Sequence, residues 1–272
     1  MDTLSPDDAR RIAQVVELLR QSRSLLFITG AGLSADSGLP TYRGIGGLYN
    51  DRHPEDNLPI EVLLSGNTMR ARPDLTWKYL LQIEQAGRDA KPNRGHEVIA
   101  EMERRFERVW VLTQNVDGLH HRAGSKNVID IHGDLHTIYC TRCDYETTVA
   151  DYAGFELPPK CPQCRGVLRP NVVLFGERLP DRQIATLQAE TARGFDLVLS
   201  VGTTSVFPYI AAPVLDAYHL KKPSVEINPA ETEVTEFAAV KLPLRAAVAL
   251  DAIWGRYNRP AEPTKEMTGG RG

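Results

Sequence analysis

A chain of 272 residues, 42% hydrophobic and 25% charged, has the make-up of a soluble globular protein with a substantial core. Its formal charge of −3 provides no basic excess for nucleic acid, and no apolar run nears the ~20 residues of a membrane helix. The acidic opening, MDTLSPDDAR, lacks the apolar stretch of a secretory signal, so a cytoplasmic location is expected.

Ser5-Pro6 followed by Asp7 and Asp8 marks a helix start, and Ile12, Val15, Val16 and Leu19 then recur at helical spacing. Residues 25–28 form a short apolar run that enters a glycine-rich turn. Similar β-branched runs lie at 109–112, 128–131, 197–201 and 225–227, as expected of strands buried on both faces of a parallel sheet. Amphipathic stretches near 95–105, 181–193 and 210–220 fall between several of them. Strands alternating with helices predict an α/β fold with a Rossmann-like, doubly wound parallel sheet.

Two segments interrupt that rhythm. Residues 44–90 read as loop plus helices, and residues 136–169 hold all four cysteines with little apolar periodicity. The expected organisation is therefore a single domain over 1–272. A large lobe is drawn from about 5–43, 91–135 and 170–257. A small lobe combines a helical insertion, about 44–90, with a zinc-binding module, about 136–169. The polar tail, 258–272, is rich in proline and glycine and is expected to be disordered.

Cys140 and Cys143 form one C-x2-C knuckle, and Cys161 and Cys164 form a second. The spacer, residues 144–160, falls within the usual range of about 15–20 residues for such pairs. Each knuckle turns two thiolates toward one point, so the four together would complete a tetrahedral sulfur shell for one zinc. With no position left open for a substrate, that zinc is read as structural. Cysteines so clustered in a cytosolic chain argue against a disulfide framework.

The stretch GAGLSADSGLPTYR, residues 30–43, directly follows a predicted strand. Its glycines would let backbone N–H groups approach phosphate oxygens, and Arg43 would supply positive charge. The spacing is not the ordinary dinucleotide fingerprint. Asp36, within this loop, is read as stabilising the turn.

Taken whole, this stretch resembles the NAD-binding signature of the sirtuin family, and further segments agree in order. TQNVDGLH, residues 113–120, resembles the motif that closes over nicotinamide and its ribose. Ile131-His132-Gly133 falls at the family's catalytic histidine, and the knuckles follow at the family's place. RPNVVLFGE, residues 169–177, resembles the strand that pairs with the substrate peptide. GTTS, residues 202–205, and EINPAE, residues 226–231, resemble the remaining cofactor contacts. The likeness spans about residues 25–250.

This resemblance implies an NAD-dependent protein-lysine deacylase, with NAD as co-substrate and one structural zinc. The acyl-lysine carbonyl oxygen would attack the ribose carbon that nicotinamide leaves, giving an imidate. His132 would act as general base on a ribose hydroxyl, since its pKa lies near working pH. Asn115 would orient ribose hydroxyls or water, and Asp117 would accept from the nicotinamide carboxamide. The cofactor set is Gly30, Ala31, Gly32, Ser34, Ala35, Pro40, Tyr42, Arg43, Gln114, Asn115, Val116, Asp117, Gly202, Thr203, Thr204, Asn228, Pro229, Ala230 and, at the adenine, Ala246. Val173, Phe175, Gly176 and Glu177 would meet the substrate.

Leu80 and Ile83 occupy the positions where succinyl-preferring members carry a tyrosine and an arginine, so neutral acyl groups are expected to be preferred. Three departures from the family stand out. Tyr42 replaces a phenylalanine, Leu244 replaces a glycine, and the segment from Gly202 to Pro208 is one residue shorter. Partners would be acylated-lysine proteins or peptides, without nucleic acid or membrane; the oligomeric state is left open, with a monomer plausible. Competing readings are an ADP-ribosyltransferase or an NAD glycohydrolase using the same pocket, and a non-enzymatic, zinc-stabilised NAD sensor. His96, His120, His121 and His136 are read as packing or surface residues.

Overall fold

The computed structural model describes residues 4–41 and 56–259. Tyr42 and Arg43 lie outside the described residues, as does the tail from 260 onward. Helix α1 (Pro6–Arg20) begins where the sequence places it. Ser5 caps it in a reciprocal box with Asp8, Pro6 sits in its first turn, and Ile12, Val15, Val16 and Leu19 form its buried face. Strand β1 (Ser24–Thr29) follows, then the one-turn helix α2 (Ala31–Ser34).

Helices α3 (Ile60–Leu63), α4 (Gly66–Ala71) and α5 (Pro73–Gly87) occupy the segment expected to be helical. The chain continues through α6 (Arg94–Arg105), β2 (Arg108–Thr113), α7 (Leu119–Ala123) and β3 (Val128–Asp130). Next come β4 (Gly133–Cys140), β5 (Glu146–Thr148) and β6 (Leu168–Val172). The chain closes through α8 (Asp181–Ala192), β7 (Leu197–Val201), α9 (Pro208–His219), β8 (Ser224–Ile227), β9 (Val240–Leu242) and α10 (Ala246–Tyr257).

Six strands make one parallel sheet in the order β3-β2-β1-β7-β8-β9. One face carries a core that includes Leu19, Phe27, Ile99, Leu199 and Trp254, and the other packs Ile28, Leu112, Ile129, Ile210 and Val214. Covered on both sides, the strands can be uniformly apolar, as the sequence reads. The order reverses between β1 and β7, so the crevice at their carboxyl ends is the topological switch point where such sheets bind ligands.

A second sheet, antiparallel in the order β5-β4-β6, bears Cys140 at the end of β4 and the other three cysteines in its connecting segments, and packs on α5 around a third core. Trp77 fixes that contact. It is fully buried, donates its indole N–H to the Leu168 carbonyl at 2.8 Å, and meets Tyr152 edge-on. This sheet begins at residue 133 and ends at 172, slightly outside the span expected for the zinc module. Gly133 sits at the changeover between the sheets. Its φ of +83° and a Cβ position only 1.9 Å from the Asn171 carbonyl oxygen leave room for no side chain. No helix among the described residues is long and apolar enough to cross a membrane.

Candidate functional site

The loops leaving β1, β2, β7 and β8 converge on a cavity of about 470 Å³. Its wall includes Gly30, Ala31 and Gly32 after β1, and Gln114, Asn115 and Val116 after β2. Gly202, Thr203 and Thr204 follow β7, and Asn228 and Ala230 follow β8. From the small lobe and the adjoining strand come Leu80, Ile83, Val173, Phe175, Gly176 and Glu177. The residues after β1, β2, β7 and β8, far apart in sequence, are thus gathered because those strands end on the same edge of one sheet.

The two β1-loop glycines, both on the cavity wall, also bring two loops together. The Gly30 amide donates to the Val201 carbonyl and the Gly32 amide to the Gly202 carbonyl, at 3.2 and 2.8 Å. A Cβ at Gly32 would lie 2.7 Å from Gly202 Cα, and one at Gly202 would lie 2.4 Å from Leu33 N. The glycines therefore let the β1 and β7 loops touch, with both amides hydrogen-bonded across that contact. Thr203 ties the other loops together. Its hydroxyl accepts from Gln114 Nε2 at 2.7 Å, and its carbonyl accepts from Asn228 Nδ2 at 3.0 Å.

A smaller adjoining hollow is walled by Ala31, Ser34, Pro40, Asn115, Val116 and Asp117, with Ile83 and His136 also on its rim. Asn115 is buried and donates to the Gly30 carbonyl and to Ser34 Oγ. Asp117 accepts from Ser34 Oγ at 2.7 Å and from the Leu119 amide at 2.9 Å. Burial pushes its carboxyl pKa up, against the pull of those two hydrogen bonds. Asn93, which caps α6 through the Gly95 amide, also donates to the Leu33 carbonyl and to Ser37 Oγ, so the β1 loop is anchored from behind.

His132 lies on the main cavity wall. Its Nδ1 is 3.1 Å from the Gln114 carbonyl oxygen, which can only accept, so Nδ1 carries the proton in the neutral ring. Nε2 is then the bare nitrogen, and it lies 2.6 Å from the hydroxyl of Tyr209, which also lines the cavity. Burial lowers the His132 pKa, and the carbonyl partner opposes it only in part, so the ring stays neutral into mildly acidic solution. A half-buried neutral imidazole whose Nε2 carries no proton is equipped to accept one.

The remaining candidate residues fall in several places. Ala35, Pro229 and Ala246 are on neither wall; Ala246 is packed in the core at the start of α10. Asp36 does more than stabilise its own turn, since it accepts from the Ala247 amide at 2.8 Å and pairs with Arg245, capping α10. His120 is buried against Thr29 and packs on His96, while His121 pairs with Asp130 at the surface. Glu177 is held by Arg169 at 2.7 and 3.0 Å. The sequence reading missed Tyr209. Its only local signal is a place just after Pro208 in a helix start, and its role comes from the tertiary fold.

The four cysteine sulfurs lie within 4.8 Å of one another, Cys140 to Cys164 at 3.4 Å and Cys143 to Cys161 at 3.6 Å. These separations are too long for disulfides and close to the ~3.8 Å edge of a tetrahedron with Zn–S bonds of about 2.3 Å. Backbone amides of Arg142, Gln163 and Gly166 point at three of the sulfurs, each at 3.4 Å, as suits thiolates. The donor set and its spacing fit a structural zinc.

Comparison with known proteins agrees with this geometry. A model described as the Sir2 family matches residues 30–208. A Pseudomonas aeruginosa protein called NAD-dependent protein deacylase 2 is 50% identical over 249 residues, covering 90% of this chain and 95% of that one. Its namesake in Pseudomonas syringae pv. tomato is 47% identical over 237 residues, covering 86% and 95%. Among solved structures, a Sir2 homologue in complex with NAD matches with a TM-score of 0.81 and 33% identity, covering 90% of this chain and 93% of its own. A Sir2 variant with a deacetylated p53 peptide and 3′-O-acetyl ADP-ribose matches with a TM-score of 0.81 at 28% identity, covering 90% and 98%.

Proposed function

The chain belongs to the Sir2 family, and from that premise we infer that it is an NAD-dependent protein deacylase acting on acylated lysine side chains. NAD is its co-substrate. The observation that carries this reading is the bare Nε2 of His132 on the wall of a cavity built from the loops after β1, β2, β7 and β8. A module that only sensed a dinucleotide would have no use for a neutral base at that place.

NAD would lie across those four loops, with nicotinamide in the hollow of Ser34, Asn115 and Asp117, where the carboxylate accepts from the carboxamide. Asn115 would face the ribose. Once nicotinamide leaves and the acyl oxygen has joined the ribose, His132 takes the proton of a ribose hydroxyl, whose oxygen then attacks the acyl carbon. Val173, Phe175, Gly176 and Glu177 would border the peptide, and the four cysteines would hold the zinc that keeps this lobe in shape. Incubation with an acetyl-lysine peptide and NAD, followed by mass spectrometry, tests the reading. O-acetyl-ADP-ribose is the expected product. Nicotinamide released without peptide would identify a glycohydrolase, and ADP-ribose added to protein would identify a transferase.

The acyl group would run between Leu80, Ile83, Leu64 and Leu135, all on the wall. Among the described residues that wall has no lysine or arginine, and it has two glutamates, Glu177 and Glu231. A succinyl carboxylate would be desolvated there without a partner, costing several kcal/mol. The expected result is a kcat/KM for succinyl-lysine peptide about 100-fold or more below that for acetyl-lysine peptide. Equal values would remove Leu80 and Ile83 from the acyl channel.

A further inference from the structure

We propose that Tyr209 is a second proton-transfer residue of this site, passing the ribose hydroxyl proton to His132 in place of direct contact between the ribose and the imidazole. The proposal rests on the reading of His132 as the general base. It starts from the occupied lone pair. With Nδ1–H committed to the Gln114 carbonyl, Nε2 can only accept, and the hydroxyl 2.6 Å away must be donating to it. A proton bound for Nε2 must therefore either displace the phenol or pass through it.

The surroundings favour passage. Tyr209 stands in the first turn of α9, next to Pro208, so its backbone is fixed. Its ring stacks on Phe207 at 5.6 Å and 15°, and both rings meet His132 nearly edge-on, at 81° and 87°. The loop before it is the one that is a residue short. It places buried Ser205 at a φ of +55°, a strained setting for a residue other than glycine, and leaves Phe207 and Tyr209 lying against the histidine. Burial also pushes the phenol pKa up to about 12, so the hydroxyl keeps its proton until one replaces it. Tyr209 lines the cavity, and a phenol oxygen that donates its one proton to His132 keeps acceptor lone pairs for an incoming hydroxyl.

The step balances without any further reactant. The ribose O–H bond breaks and its proton joins the Tyr209 oxygen. The phenol's own O–H bond breaks in concert, and that proton lands on His132 Nε2. The electron pair left on the ribose oxygen forms the new bond to the acyl carbon as the π pair of the imidate C=N moves onto the lysine nitrogen. Tyr209 ends as a neutral phenol and His132 as an imidazolium, which can protonate the departing lysine amine.

Wild type, Y209F and H132A would be compared with saturating NAD and acetyl-lysine peptide in three measurements. These are the single-turnover rate of O-acetyl-ADP-ribose formation, exchange of labelled nicotinamide into NAD, and the dependence of the rate on D2O fraction. Because nicotinamide leaves before the proton moves, Y209F should retain exchange while product formation falls about 10- to 100-fold. The D2O plot should be bowed in wild type, with two protons in flight, and straight in Y209F. An undiminished Y209F rate, with H132A inactive, would overturn the relay alone, and a faster Y209F would make the phenol a plug. Loss of exchange along with turnover would make Tyr209 structural and also overturn it. Full activity in H132A would instead bring down the reading of the base.

Discussion

Replacing His132 with alanine is expected to slow deacylation of an acetyl-lysine peptide by about 10²- to 10⁴-fold, the range of a lost general base. NAD binding should change little. The main chain at 132 has a separate task, its carbonyl accepting from the Val173 amide at 2.9 Å, and alanine preserves that bond. What is lost is the ring, whose Nδ1 is already committed to Gln114 and whose unprotonated Nε2 accepts from the Tyr209 hydroxyl. The pH profile supplies a second check. Only the neutral imidazole can accept a proton, and burial depresses its pKa, so activity should hold as pH falls through the ordinary histidine value of about 6.5. The acid limb should then appear below that value and be missing from the residual rate of the variant. A limb centred above 7 would mean that another group, or a charged histidine, controls the rate.

Much of this site was readable in the sequence, for a definite reason. A strand buried on both faces shows as a short apolar run, and in a parallel sheet each run is followed by a loop on the binding edge. Locating the runs before Gly30, Gln114, Gly202 and Asn228 therefore located the cavity wall, and the cysteine spacing located the metal cluster. The antiparallel sheet was harder to see. β4 contains Asp134, His136 and Thr137 among its apolar residues, its partner on one side is the three-residue β5 and on the other a strand some thirty positions away, so periodicity does not announce it. The three-residue β9 is too short to register. The glycines of the β1 loop signalled a close approach, but sequence could not say that the approaching group is the Gly202 loop of the same protein. Asp36 and Tyr209 share that limit, each owing its role to a partner distant in the chain: the start of α10 for one, the catalytic wall for the other.

Removing one zinc ligand should have an effect as large as removing the base, by a different route. Cys161 is fully buried in the small-lobe core, and no cysteine belongs to either core of the parallel sheet. Structural zinc contributes about 10–16 kcal/mol in small peptide domains, and forfeiting even several kcal/mol of that should lower the melting temperature by about 10 °C. The loss should be confined to one lobe. Trp77 packs in the cysteine-bearing core, whereas Trp254 and Trp110 belong to the two faces of the parallel sheet, so each tryptophan reports on its own region. In C161S, Trp77 emission should shift to the red while the parallel sheet persists. Deacylation should collapse because Leu80, Ile83 and Phe175, which border the cavity, are carried or packed by the disordered lobe. A chelator acting on the wild type should reproduce the same pattern, and zinc should reverse it. C161S that kept its Trp77 emission and its full rate would show that the sulfur cluster does not hold the lobe together.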